Sequence, residues 1–281
     1  MGRVAIVTGG TGGLGLETAR QLAQRGYAVG IVARNPVRAR DALAEIGAGA
    51  AIAPVSFQCD MADLGQVRRV ATEIAARFPR IDVLVNNAGV INMKRRVTVD
   101  GYEETFAVNH LAHFLLTGLL LPQIRASEAG RIIVVSSDAH KPYALRMDDL
   151  MSQGRYSTFA VYGRSKLANL HFAYELARRL AGSGVTVNAV HPGAVASDFS
   201  MNNGALAAFA MTLVRPFFLT SKKAAEPVVW MATAPELAGI SGKYFYKGRQ
   251  HRSNRASHDA EAARTLWAKS EDLTGFTYPL G

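Results

Sequence analysis

Tyr162 and Lys166 stand four residues apart in YGRSK, one turn of a helix, so their side chains leave the same face. A phenol with an ordinary pKa of about 10 exchanges its proton poorly at neutral pH. A neighbouring ammonium favours the phenolate and brings that proton into the working range of an acid–base catalyst. The spacing alone arises readily by chance. Its context is the preceding apolar run, which ends in Val135-Ser136-Ser137 and delivers a serine hydroxyl to the rim of the same pocket. Such a hydroxyl can hydrogen-bond a carbonyl oxygen as negative charge gathers on it.

A second group of residues is suited to holding a dinucleotide. Thr8-Gly9-Gly10-Thr11-Gly12-Gly13-Leu14-Gly15 follows the first apolar run and opens a helix. Gly9, Gly13 and Gly15 let backbone approach a diphosphate, with Thr11 and Leu14 between them, and the helix start offers free N–H groups. After the second run, Ala33 stands where an NAD-binding fold places a carboxylate, and Arg34 follows. Arginine matches a ribose 2′-phosphate in two-pronged fashion, so the sequence points to NADP(H). The third run ends in Cys59-Asp60-Met61, where Asp60 can receive an adenine amino group. The fourth ends in Asn86-Asn87-Ala88-Gly89, small and polar enough to pass beneath a cofactor.

These groups need a frame that brings chain segments together at one edge. Strands are predicted over Val4–Thr8, Ala28–Ala33, 52–58, Val83–Asn86, 131–136, 185–190 and 243–246. Helical patterns lie between them, over 15–25, 37–46, 64–78, 101–127, 158–181 and Ser221–Thr233. Continuous apolar strands such as VAIVT and IIVVS suit parallel strands covered on both faces. Strict alternation predicts an α/β fold, a single Rossmann domain over 1–281 with a doubly wound, parallel seven-stranded sheet. Ligands of such sheets bind beyond the carboxyl ends of the strands, where every motif above falls.

Composition narrows the partners. The 281 residues carry 32 Lys and Arg against 22 Asp and Glu, a net charge of +10. The densest basic stretch, Lys243 to Arg255, has no stacking motif or reading helix beside it, so nucleic acid is not expected. Cys59, the single cysteine, excludes an internal disulfide and reads as a core thiol. His110 and His113 lack acidic or cysteine partners at ligand spacing, and no metal is expected. The apolar segment after Gly204 is broken by Arg215 and Pro216 and is short for a membrane span. It reads instead as a substrate lid over 200–222, with a membrane-surface helix as the competing reading, and 247–281 as a C-terminal extension. With no leader ahead of the first strand, a cytoplasmic protein without a transmembrane segment is expected.

Taken in order, TGGTGGLG, NNAG, VNHLAHF, VVSS, YGRSK and VNAVHPG resemble the short-chain dehydrogenase/reductase family along nearly the whole chain. The resemblance implies Tyr162 as proton donor or acceptor. Lys166 would hold the nicotinamide ribose and lower the Tyr162 pKa, and Ser137 would orient the carbonyl. Asn109 would anchor a water that extends the proton relay, Asn87 would lie near the cofactor, and Pro192 and Gly193 would close over the nicotinamide. YGRSKLANLHFAYELARRL, with GVTVNAVHPG and GKYFYKGR, is similar to the retinol-dehydrogenase-like and WW-domain-oxidoreductase-like branch, which generally uses NADP(H). Expected, then, is an NADP(H)-dependent oxidoreductase acting on a lipophilic carbonyl or alcohol substrate, as a homodimer or homotetramer, unless the C-terminal extension keeps it monomeric. The alternatives are a cofactor-sensing protein without chemistry, a sugar-nucleotide epimerase, and a light-dependent reductase of the protochlorophyllide type. Tyr143 and Tyr156, in the stretch between Ser137 and Tyr162, lack a lysine at the fourth position and read as loop or pocket residues.

Overall fold

The computed structural model describes residues 2–193 and 219–280. The lid expected over 200–222 lies outside them, except for residues 219–222. The chain begins β1 (Val4–Thr8), α1 (Gly13–Ala23), β2 (Ala28–Ala33), α2 (Pro36–Gly47), β3 (Val55–Gln58), α3 (Leu64–Arg77) and β4 (Val83–Asn86). It continues through α4 (Glu104–Phe106), a π-helical turn (Ala107–Leu111), α5 (Ala112–Leu119), α6 (Leu121–Arg125) and β5 (Arg131–Val135). A 3-10 turn (Asp138–His140) precedes α7 (Thr158–Arg179) and β6 (Thr186–His191). After the gap come α8 (Ser221–Thr233), β7 (Tyr244–Tyr246), β8 (Arg249–Gln250) and α9 (Ala260–Thr274).

The strands form one sheet in the order β3-β2-β1-β4-β5-β6-β7-β8, parallel except for β8. Apolar runs feed two cores because successive side chains point to opposite faces. In β1, Val4 and Ile6 join the core under α3, α5, α7 and α9, while Ala5 and Val7 join the one under α1, α2 and α8. In β5, Ile132 and Val134 divide from Ile133 and Val135 in the same way. The order reverses between β1 and β4, so the carboxyl ends of β1, β2, β4 and β5 surround one crevice.

One expectation is corrected. The sheet has eight strands, not seven: the chain turns at Lys247 and Gly248, with φ +50° and +71°, and β8 runs back along β7. A two-residue strand has no periodicity to read, and lysine gives no signal for a left-handed turn. The C-terminal extension over 247–281 packs onto the domain. It contains α9, whose Trp267 is 3% exposed and packs on Phe114 and Phe172 while Arg179 covers its ring at 4.3 Å. Tyr278, just beyond α9, donates its hydroxyl to the carbonyl of Phe114 at 2.6 Å.

The single helix expected over 101–127 is divided. Glu103, fully buried, caps its start by accepting from the N–H groups of Thr105 and Phe106 at 2.9 and 2.7 Å. The π-helical turn then puts one extra residue in the ladder at the position of Asn109, a distortion often found at functional sites.

Candidate active site

The glycine turn is shaped by contacts that no side chain could share. Gly9 has φ +68°, a conformation other residues enter only with strain. A Cβ on Gly15 would strike the carbonyl of Gly9 and sit 2.5 Å from Asn87 Nδ2. Helix α1 therefore packs onto the turn only through a bare backbone. Its N-terminus has neither a side-chain cap nor an acidic residue, whereas α2, α3, α8 and α9 are capped by Asn35, Asp63, Thr220 and Asp259. The first N–H groups of α1 are thus left for an external anion. Leu14 is buried in the core behind them, and Thr11 is half-buried in the turn.

Asn87 fastens this turn to β4. Its Nδ2 donates to the carbonyl of Thr8 at 2.7 Å, while its N–H and that of Ala88 donate to Thr8 Oγ1 at 2.8 and 2.9 Å. His113 completes the joint. It is 1% exposed, with Nδ1 3.1 Å from the carbonyl of Asn109 and Nε2 3.0 Å from Thr8 Oγ1. A carbonyl can only accept, so Nδ1 carries the proton and Thr8 donates its hydroxyl to Nε2. Burial keeps this imidazole neutral, its pKa pushed down to about 4. The sequence offers no partner for His113, because Thr8 and Asn109 meet it only in the fold.

At the adenine end, Arg34 projects from the end of β2 with 64% of its side chain exposed, and Nη1 lies 3.8 Å from Asp60 Oδ2. Asp60 Oδ1 accepts from the N–H of Ala62 at 3.0 Å, so one of its oxygens shapes the turn and the other faces Arg34. Met61, expected at the cofactor, is 6% exposed with its side chain in the core beside Cys59 and Leu64. Only its backbone could face a nucleotide. The thiol of Cys59 is buried, and its pKa is raised to about 12, as expected of a core thiol. At the far side Pro192 and Gly193 follow β6 directly and are buried.

The two serines at the end of β5 part company. Ser136 turns into the protein and donates to the carbonyl of Lys166 at 2.8 Å. Ser137 turns outward, its hydroxyl hydrogen-bonded to the phenol of Tyr162. Lys166 is 3% exposed, with Nζ 5.6 Å from the centre of the Tyr162 ring and 3.3 Å from the carbonyl of Val135. It has no carboxylate partner among the described residues. A buried ammonium left unpaired is costly, and such groups gather at functional sites. Burial lowers its pKa to about 8.

The expected lowering of the Tyr162 pKa is not what this arrangement produces. Burial pushes the phenol up to about 12, and the hydrogen bond from Ser137 pulls it back only in part. At neutral pH Tyr162 holds its proton.

Gly89 lies between Lys166 and Asn109, since a Cβ built on it would be 3.5 Å from Nζ and 3.2 Å from Oδ1. The Asn109 side chain clasps Val90, accepting from its N–H at 2.8 Å and donating to its carbonyl at 3.0 Å. It also donates to Ser165 Oγ at 2.9 Å. The Asn109 side chain is therefore committed to protein partners. His110 is placed by Ser270 of α9, 2.9 Å from its Nε2. Tyr156 donates to the carbonyl of Asn92 at 2.9 Å, and Tyr143 packs against Gly163 of α7, so both serve the loop around the site.

A doubly wound sheet whose crevice joins a bare glycine turn to a serine, a tyrosine and a buried lysine has the parts of a nicotinamide-dependent oxidoreductase. Residues 3–206 match the family described as short chain dehydrogenase. The chain belongs to the short-chain dehydrogenase/reductase family, in its retinol-dehydrogenase-like branch. It is 41% identical to human retinol dehydrogenase 13, over 99% of this chain and 86% of that protein. It is 38% identical to human polyprenol dehydrogenase, over 97% of this chain and 85% of that one. Among solved structures, an uncharacterized protein from Mycobacterium Paratuberculosis superposes with a TM-score of 0.79 at 34% identity, over 99% of this chain and 95% of that one. A short chain dehydrogenase from Burkholderia cenocepacia J2315 in complex with NADP gives 0.69 at 28% identity, over 86% of this chain and 95% of that one. The protein is accordingly an oxidoreductase acting on CH–OH or C=O groups. No helix among the described residues is long and apolar enough to cross a membrane.

Proposed function

We propose that the chain is an NADP(H)-dependent reductase of lipophilic aldehydes or ketones. The observation that carries the reading is the placement of the Tyr162 phenol, hydrogen-bonded to Ser137 with the buried Lys166 ammonium 5.6 Å from its ring, and burial keeps that phenol protonated at neutral pH. A protonated phenol is ready to give its proton to a carbonyl oxygen, whereas alcohol oxidation begins from a phenolate.

The residues fit a nicotinamide dinucleotide. Gly9, Thr11, Gly13, Leu14 and Gly15 would take the diphosphate, Arg34 and Asp60 the adenosine end, and Asn87, Ala88, Gly89, Tyr162, Lys166, Pro192 and Gly193 the nicotinamide end. Arg34 supports NADP(H) because it is exposed at the end of β2 and follows Ala33, where a carboxylate would repel a 2′-phosphate. When bound, this group supplies the hydride that reduces the substrate carbon. Ser137 orients the substrate oxygen by a hydrogen bond, and Tyr162 gives that oxygen its proton. Lys166 offsets the negative charge then left on Tyr162, and Asn109 holds the loop at Val90 beneath both. The names retinol dehydrogenase and polyprenol dehydrogenase among relatives support a lipophilic substrate. A homodimer or homotetramer in the cytoplasm is part of the same reading, open to light scattering and cell fractionation.

The test is NADPH consumption over aldehydes and ketones of graded size, with NADH as control. Turnover should favour NADPH by at least about tenfold and fall about 100- to 10,000-fold in Tyr162→Phe, the range of general acid catalysis. A Tyr162→Phe protein as fast as the wild type would refute the reading. Tight NADPH binding with no consumption across the panel would leave a sensor instead.

A further inference from the structure

Ser137 is held from behind by residues far away in sequence. It opens the 3-10 turn Asp138–His140, its hydroxyl accepting from the N–H of Ala139 at 3.2 Å. His140 is fully buried beneath it. Its Nδ1 lies 2.6 Å from the carbonyl of Ser137, and its Nε2 accepts from the backbone N–H of Asn254 at 3.2 Å. A carbonyl acceptor on one side and an N–H donor on the other fix a single tautomer, Nδ1–H with Nε2 bare. The ring meets Tyr244 edge-on, centroids 5.6 Å apart.

Asn254 grips the same turn a second time. Its Nδ2 faces the carbonyls of His140, Lys141 and Tyr143 at 3.2, 3.2 and 3.0 Å, while its Oδ1 accepts from the N–H of Ser257 at 3.0 Å. One residue of the C-terminal stretch thus reaches carbonyls on both sides of Lys141, and the imidazole carries the link to the Ser137 peptide. Nothing else in this turn requires a buried imidazole. A plain loop would be served by a hydrophobic residue there, without two polar atoms to satisfy.

We propose that His140 and Asn254 are positioning residues for Ser137, a clamp through which the C-terminal segment aims the serine hydroxyl at the substrate oxygen. The proposal rests on the oxidoreductase reading. Displacing a catalytic group by about 1 Å can lower a rate about 100-fold, and a peptide freed on one side moves on that scale.

The test uses the full chain and the best NADPH–carbonyl pair from the screen. His140→Phe keeps the ring and removes both nitrogens, and Asn254→Ala, at a half-buried site, removes the grip should the first variant not fold. Each should lower kcat about 10- to 100-fold with the NADPH Kd, read by nucleotide fluorescence, changed less than twofold. In a Ser137→Ala background neither should change the residual rate more than about twofold, because no hydroxyl remains to be aimed. A merely structural role would lower both backgrounds alike. The clamp is refuted by wild-type kcat in both variants, or by the same fold-loss with and without the serine. If the wild type binds NADPH and reduces nothing, the oxidoreductase reading and the clamp that serves it fall together, whereas an active wild type with unaffected variants removes the clamp alone.

Discussion

The ammonium of Lys166 stands 5.6 Å from the centre of the Tyr162 ring, yet its hydrogen bond goes to the carbonyl of Val135 at 3.3 Å. Both groups are shifted by burial toward their neutral forms, the phenol up to about 12 and the ammonium down to about 8. A phenol held so high gives up its proton only to a base stronger than an ordinary carboxylate or imidazole.

Replacing Lys166 by Met should separate stability from activity. The folded-state pKa lies below the ordinary value of 10.5, so at pH 7 the unfolded chain holds this proton more comfortably than the native one. Removing the charge should therefore stabilise the fold by about 1–3 kcal/mol, a rise in Tm of a few degrees, while carbonyl reduction is lost. A variant with lowered Tm and retained activity contradicts the assignment.

The pH profile follows from the same two groups. Tyr162 keeps its proton throughout the neutral range, and Lys166 gives up its charge near pH 8. Reductive kcat/KM should be level from pH 6 to about 7.5 and decline through about pH 8. A profile that rises through pH 8 would show that the phenolate, not the phenol, starts the reaction.

Arg34→Ala should weaken NADPH binding about 10- to 100-fold and leave NADH unchanged, since the guanidinium would meet only the 2′-phosphate. Calorimetric titration with both nucleotides measures this, and equal losses for the two would move Arg34 away from the ribose.

Acid should unfold the protein early. His110, His113 and His171 are each 1% exposed, with pKa values pushed down by burial to about 3, 4 and 4. Below pH 6.5 the unfolded chain binds protons that the native one refuses, so stability falls from pH 6.5 toward pH 4, by about 1–2 kcal/mol per histidine at pH 5. Urea midpoints at pH 7 and pH 5 should differ accordingly, and coincident midpoints would show these rings to be charged in the fold.

The parallel sheet, its alternating cover and the residues Tyr162, Lys166, Ser137 and Gly15 were legible in the chain because their signals are local. They are an apolar run, a four-residue spacing, a strand end and a glycine turn. What Ser136 does needed the neighbouring helix, since it turns inward to the carbonyl of Lys166 while Ser137 faces Tyr162. The burial of Met61, the eighth strand, the structural role of α9 and the grip of Asn254 on the Ser137 turn are all long-range. Asn254 and Tyr143 are separated by 111 residues, and no local pattern announces a hydrogen bond across that distance. Sequence therefore singled out the groups proposed to carry the chemistry. The tertiary structure decided their protonation and aim, because burial and partners from distant segments exist only once the chain has closed on itself.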